Sequence, residues 1–182
     1  MNKIFILSII FFTNVSYSQL FEGQKFCEES KDLSYFPILI HKKKIFWRNT
    51  FYFETKSETK ILNGKVYTEF KQEWNNSNTD LLYLREENGI VYQYDKCCKN
   101  ETIRYNPKFK TGDTWVSENK EMVYKIITYD GKLKTPYCEY QNLLVIEAKM
   151  KSVTFNFYYL RGHGYIGATQ NDKLISCISP EW

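Results

Sequence analysis

Between residues 44 and 178 the chain repeats one pattern: short runs in which apolar and polar side chains alternate, separated by clusters of Asn, Asp, Gly, Pro and Thr. Side chains of an extended strand point to opposite faces in turn, so runs of this kind form half-buried strands and the clusters supply the turns. Residues 66–74 are the clearest case. Val66, Thr68, Phe70 and Trp74 share one side, and Tyr67, Glu69, Lys71 and Glu73 share the other, which is expected to meet water. Residues 45–54 read as one alternating run, with Ile45, Trp47, Asn49, Phe51 and Phe53 against Phe46, Arg48, Thr50, Tyr52 and Glu54. Asn63-Gly64 marks a tight hairpin turn, and Glu86-Glu87-Asn88-Gly89 joins the runs at 81–85 and 90–95. Leu143-Leu144-Val145-Ile146 is apolar at successive positions, as expected of a strand covered on both faces. Gly162, Gly164 and Gly167 are suited to a bulge or corner. The pattern predicts an all-β fold, a single antiparallel barrel or barrel-like sandwich of about nine or ten strands, with little room for helices.

The first residues carry a different signal. Lys3 precedes the apolar stretch 4–12, and Ser16 and Ser18 stand at the −3 and −1 positions of a signal peptidase site before Gln19. The apolar stretch is shorter than the roughly 20 residues a spanning helix needs, so no transmembrane segment is expected in the mature chain. Residues 1–18 are read as a signal peptide, 19–43 as an irregular lead-in and 44–182 as one all-β domain. Pro37 keeps the apolar Tyr35-Phe36-Pro37-Ile38-Leu39 from being an interior strand. The expected location is exported, periplasmic or extracellular. The absence of Cys just after the cleavage position argues against a lipid anchor.

Lys and Arg number 25 against 21 acidic residues. That small excess gives no reason to expect nucleic acid, which demands clustered cations. The one basic run, His41-Lys42-Lys43-Lys44, is read as a solvated strand start. Five cysteines, Cys27, Cys97, Cys98, Cys138 and Cys177, point to disulfides in an oxidising compartment. A bond between adjacent residues strains the intervening peptide, so the expected pairs are Cys27 with Cys177 and either Cys97 or Cys98 with Cys138.

Three segments in order carry a family resemblance: Leu84-Arg85-Glu86-Glu87-Asn88-Gly89-Ile90-Val91-Tyr92, the turn region from Tyr105-Asn106-Pro107 to Thr111-Gly112-Asp113-Thr114, and Tyr158-Tyr159-Leu160-Arg161-Gly162-His163-Gly164-Tyr165-Ile166-Gly167. Together they resemble a module of secreted proteins from Bacteroidetes-type bacteria. The resemblance implies an all-β fold and no particular activity.

No catalytic constellation stands out. His163, flanked by glycines, has only His41 as a second histidine, far off in a basic segment, and reads as a turn-exposed imidazole rather than a base or metal ligand. Glu69 and Glu73 could serve glycoside hydrolysis only if paired at the required spacing, and read as a solvated face. No catalytic residue, metal ligand or cofactor is assigned. The surplus aromatics are the best candidates for recognition, with Trp47, Trp74, Trp115 and Tyr158 expected to contact a ligand. The functional expectation is a non-enzymatic binding or interaction module for a small apolar ligand, a glycan, a lipid or an envelope protein. The alternatives are a hydrolase of envelope or extracellular polymers and a structural envelope component.

Overall fold

The structure, a computed structural model, describes residues 26–30, 33–38, 40 and 42–180. The predicted signal peptide lies outside them. Twelve antiparallel strands form one sheet: β1 (Lys42–Trp47), β2 (Thr50–Leu62), β3 (Lys65–Trp74), β4 (Thr79–Glu87), β5 (Ile90–Asp95), β6 (Asn100–Tyr105), β7 (Thr114–Val116), β8 (Val123–Lys134), β9 (Glu139–Lys149), β10 (Thr154–Leu160), β11 (Gly164–Gln170) and β12 (Lys173–Ser179). Among the described residues there is no helix.

Every sequential pair from β1 to β6 and from β7 to β12 is a hairpin, and β1 also pairs with β12. The order is β6-β5-β4-β3-β2-β1-β12-β11-β10-β9-β8-β7, a meander curled into a nearly closed barrel whose seam falls between β6 and β7. The fold class is therefore the expected one, with twelve strands rather than nine or ten. Part of the difference lies at residues 45–54, which form two strands and not one. Arg48 takes a left-handed φ of 53° and donates its N–H to Ile175 O at 2.6 Å, so the chain reverses and Trp47 pairs with Thr50.

The two edge strands meet through side chains instead of a ladder. Trp115 Nε1 donates to Ile103 O at 2.7 Å, and the Glu118 N–H donates to Thr102 Oγ1 at 2.8 Å. The Trp115 indole lies between Phe109, at 4.7 Å, and Tyr124, at 5.3 Å. Polar groups that an open edge would leave to water are thus partly satisfied, which blunts edge-to-edge association.

The core has two parts. Tyr105, Tyr124, Ile126, Leu144, Ile146 and Tyr159 surround the lead-in residues Tyr35 and Phe36. Phe36 is 8 % exposed and stacks on Tyr159 at 4.3 Å and Tyr105 at 5.2 Å. The irregular lead-in is therefore a plug packed against the barrel core. The second part gathers Leu133, Cys138 and Tyr140 from the end of the β8–β9 hairpin with Leu143, Val145, Leu160, Ile166 and Ile178. Gly167 permits this approach: a Cβ there would stand 2.9 Å from Leu133 Cδ2 and 2.7 Å from Ser176 O. All four residues of Leu143-Leu144-Val145-Ile146 are buried, as the unbroken apolar run predicts.

Three expectations are corrected. Cys27 is bonded to Cys138 and Cys97 to Cys98, while Cys177 is buried and unpaired. Cys177 lies within β12 opposite Phe46 and Gly167, whereas Cys138 stands just before β9, where Cys27 of the lead-in also comes within reach of Tyr137 O. The Tyr67 face of β3 is not uniformly wet. Tyr67 is 1 % and Glu69 3 % exposed, because Tyr67 donates to Glu101 at 2.6 Å beneath the Arg85 and Lys65 side chains, and Glu69 sits opposite Tyr83. His163 is 3 % exposed, edge-on to Phe26, and is not a surface imidazole.

Candidate functional site: the barrel lumen

Register fixes which side chains point inward. On β1 and β2, Lys43 pairs with Glu54, Ile45 with Tyr52, and Trp47 with Thr50, so Lys43 shares its face with Ile45 and Trp47. Phe70 and Gln72 of β3, Leu82 and Leu84 of β4, Arg104 of β6, and Phe157 and Tyr159 of β10 add to the same face. These residues, with Phe36 and Pro37 of the lead-in, line a cavity of about 160 Å³ in the lumen.

Its walls are aromatic, but its polar groups are few and unequally satisfied. Glu54 Oε2 accepts a hydrogen bond from Gln72 Nε2 at 2.8 Å. Tyr165 OH donates to Ser176 Oγ at 2.7 Å, and that hydroxyl donates to Phe46 O at 2.6 Å. Lys43, by contrast, is 8 % exposed, and among the described residues its ammonium makes no hydrogen bond and no ion pair. Burial pulls its pKa below the usual lysine value, with the Glu54 charge opposing part of that shift. Among the described residues Arg104 reaches two phenols, Tyr124 OH at 3.4 Å and Tyr159 OH at 3.5 Å, which leaves most of its five donors unspent. Burial pushes the phenols of Tyr52 and Tyr159 up, so both stay neutral, and the Tyr159 oxygen accepts from Arg104.

Two further cavities adjoin the lumen. One, of about 540 Å³, is lined by Leu33, Ile38, Val66 and Thr68, and shares Pro37 and Leu84 with the lumen. The other, of about 220 Å³, lies on the far side of Arg104, where Asp95 accepts from Gln93 at 2.8 Å and from Thr102.

The four aromatic candidates do not converge. Trp47 lines the lumen. Trp74 donates to Asp80 at 2.9 Å, packs on Tyr52 and borders a separate polar cleft with Asn75 and Asn78. Trp115 belongs to the seam, and Tyr158 packs with the second core, its hydroxyl 3.2 Å from Thr169 Oγ1. Lys43, Glu54, Gln72 and Arg104 were not singled out by sequence. Parity could have found Lys43, since it stands at even spacing from Ile45 and Trp47. Among the described residues no group of three or more His, Cys, Asp or Glu could hold a metal ion, and no helix is long and apolar enough to cross a membrane.

No protein-family model matches the chain, and no curated protein matches it. Among solved structures, a lipoprotein candidate from Parabacteroides distasonis is similar, with 11 % identity, 82 % of this chain and 98 % of that chain covered, and a TM-score of 0.44. At that score no property is transferred from it.

Proposed function

We propose that this chain is an exported, non-enzymatic binding domain that holds a small molecule in the lumen of its barrel. The observation that carries the reading is the lumen itself: a cavity of about 160 Å³ walled by Phe36, Trp47, Phe157 and Tyr159, into which a buried, unbonded Lys43 faces. Ligand sites are typically apolar hollows with a few convergent polar groups. The signal-like sequence predicted at residues 1–18 supports a role outside the cytoplasm. A hydrolytic reading finds less support, because glycoside hydrolysis uses a pair of carboxylates and Glu54 is the one carboxylate among the described lumen residues.

Trp47 supplies the test. Titration of the mature protein with a panel of small neutral, anionic and cationic organic molecules is expected to give saturable changes in tryptophan fluorescence for at least one compound. The change should be lost in Trp47→Phe, and binding measured calorimetrically should be lost in Leu82→Trp, which fills the lumen. No binder of any charge class, or one that binds Leu82→Trp as well as wild type, would overturn the reading.

A further inference from the structure

We infer that the lumen recognises a compact organic monocarboxylate, its anionic end held by Lys43 and Arg104 and its body packed against Phe36, Trp47, Phe157 and Tyr159, an assignment that rests on the binding reading above.

Charge comes first. The described residues lining the lumen include two cations, Lys43 and Arg104, and one carboxylate, Glu54. Glu54 is already bonded to Gln72, whereas among the described residues Lys43 has no hydrogen-bond partner and Arg104 has two long ones. Unspent donors, not unspent acceptors, therefore face the cavity. Lys43 is largely buried and makes no hydrogen bond among the described residues, and an incoming carboxylate would supply hydrogen bonds and opposite charge to its ammonium. Within the lining itself one negative charge completes the balance, while Asp95 acts on Arg104 from its far side and leaves Lys43 the cation most open to a ligand. A phosphate monoester, which carries more than one charge near neutral pH, would exceed that balance beside Glu54.

Size comes second. A protein cavity of about 150 Å³ accommodates benzene, so about 160 Å³ accepts a ring or a short chain and excludes a polymer. The aromatic walls suit a flat apolar body. Pro37 and Leu84 form a common wall between the lumen and the larger cavity beside the lead-in.

The test compares benzoate with benzamide, its neutral counterpart, and with benzylamine, by calorimetry at neutral pH. Wild type is expected to bind benzoate roughly tenfold or more tighter than either. Lys43→Met should lose that preference, its affinities for benzoate and benzamide falling within about twofold of each other. Glu54→Gln keeps a hydrogen-bonding side chain at its position and should bind benzoate at least as tightly as wild type. Should Lys43→Met fail to fold, the Glu54→Gln result and the wild-type comparison still decide. Equal affinity for benzoate and benzamide, preference for benzylamine, or unchanged benzoate binding in folded Lys43→Met would overturn the assignment while leaving a binding lumen in place. Failure of every compound, neutral or charged, would remove both.

Discussion

Truncating Phe36 to alanine is the sharpest probe of how the lead-in and the barrel depend on each other. Phe36 belongs to no strand, yet it is 8 % exposed, stacks on Tyr159 and Tyr105 across the barrel, and forms part of the lumen wall. Removing a buried phenylalanine costs about 3–5 kcal/mol through lost transfer energy and the void left behind. Two aromatic neighbours keep the change off the lower end, at about 4 kcal/mol. Against a total stability of roughly 5–15 kcal/mol that is a large fraction. With an m-value of about 2 kcal/mol/M in urea, the unfolding midpoint should fall by roughly 2 M. The assay is urea denaturation followed by far-UV circular dichroism, which should show an unchanged sheet signal before the transition. Leu33→Ala, at a lead-in position that is 38 % exposed, serves as control and should cost under about 1 kcal/mol. A Phe36→Ala cost as small as that of the control would refute the plug, and with it the lumen wall that Phe36 provides.

Three other outcomes follow from the same contacts. Replacing Lys43 by methionine should raise unfolding stability by about 1–3 kcal/mol in denaturant titration at pH 7, because a buried charge without a bonded partner gives way to an apolar chain of similar length; destabilisation by more than about 1 kcal/mol would show that the ammonium is already satisfied. The Glu101 carboxyl, bonded by Arg85, Lys65 and Tyr67, is held down at about 2. Its folded pKa is depressed, so the stability it contributes is present above the ordinary carboxylate range and is lost as pH falls toward about 2, a loss of about 3 kcal/mol that Glu101→Gln should flatten in acid unfolding curves. Non-reducing peptide mapping should recover Cys27 joined to Cys138, with Cys177 alkylated only after denaturation; breaking that bond, which spans 111 residues, should cost up to about 5 kcal/mol on the chain-entropy account.

Alternation at residues 66–74, the Asn-Gly turns and the doubly apolar run at 143–146 carry the fold class in plain view, because strand period and turn chemistry are local properties. The hairpin at Arg48-Asn49 is illegible for the opposite reason: it has neither glycine nor proline, and Arg48 is held in its left-handed conformation partly by a bond to Ile175, 127 residues away. The plug has no period, so nothing in residues 33–38 announces that a barrel will close around them. Lys43 is the instructive case. Between Lys42 and Lys44 it reads as part of a solvated basic run, yet strand parity sends its neighbours over Phe53, Phe46 and Phe51 on the outer face and Lys43 inward with Ile45 and Trp47. Charge type gave the wrong side, and register gave the right one. Arg104 and Glu54 meet Lys43 only because strands distant in sequence curl to share one interior, which no local pattern encodes.

The most direct measurement is diffraction from crystals of the mature protein soaked in 4-bromobenzoate, with the bromine located by its anomalous signal. The expected result is a single strong peak inside the barrel, among Phe36, Trp47, Phe157 and Tyr159, with the carboxylate directed at Lys43 and Arg104. Bromine found only on the outer surface, with the interior filled by protein side chains, would contradict the lumen as the seat of binding.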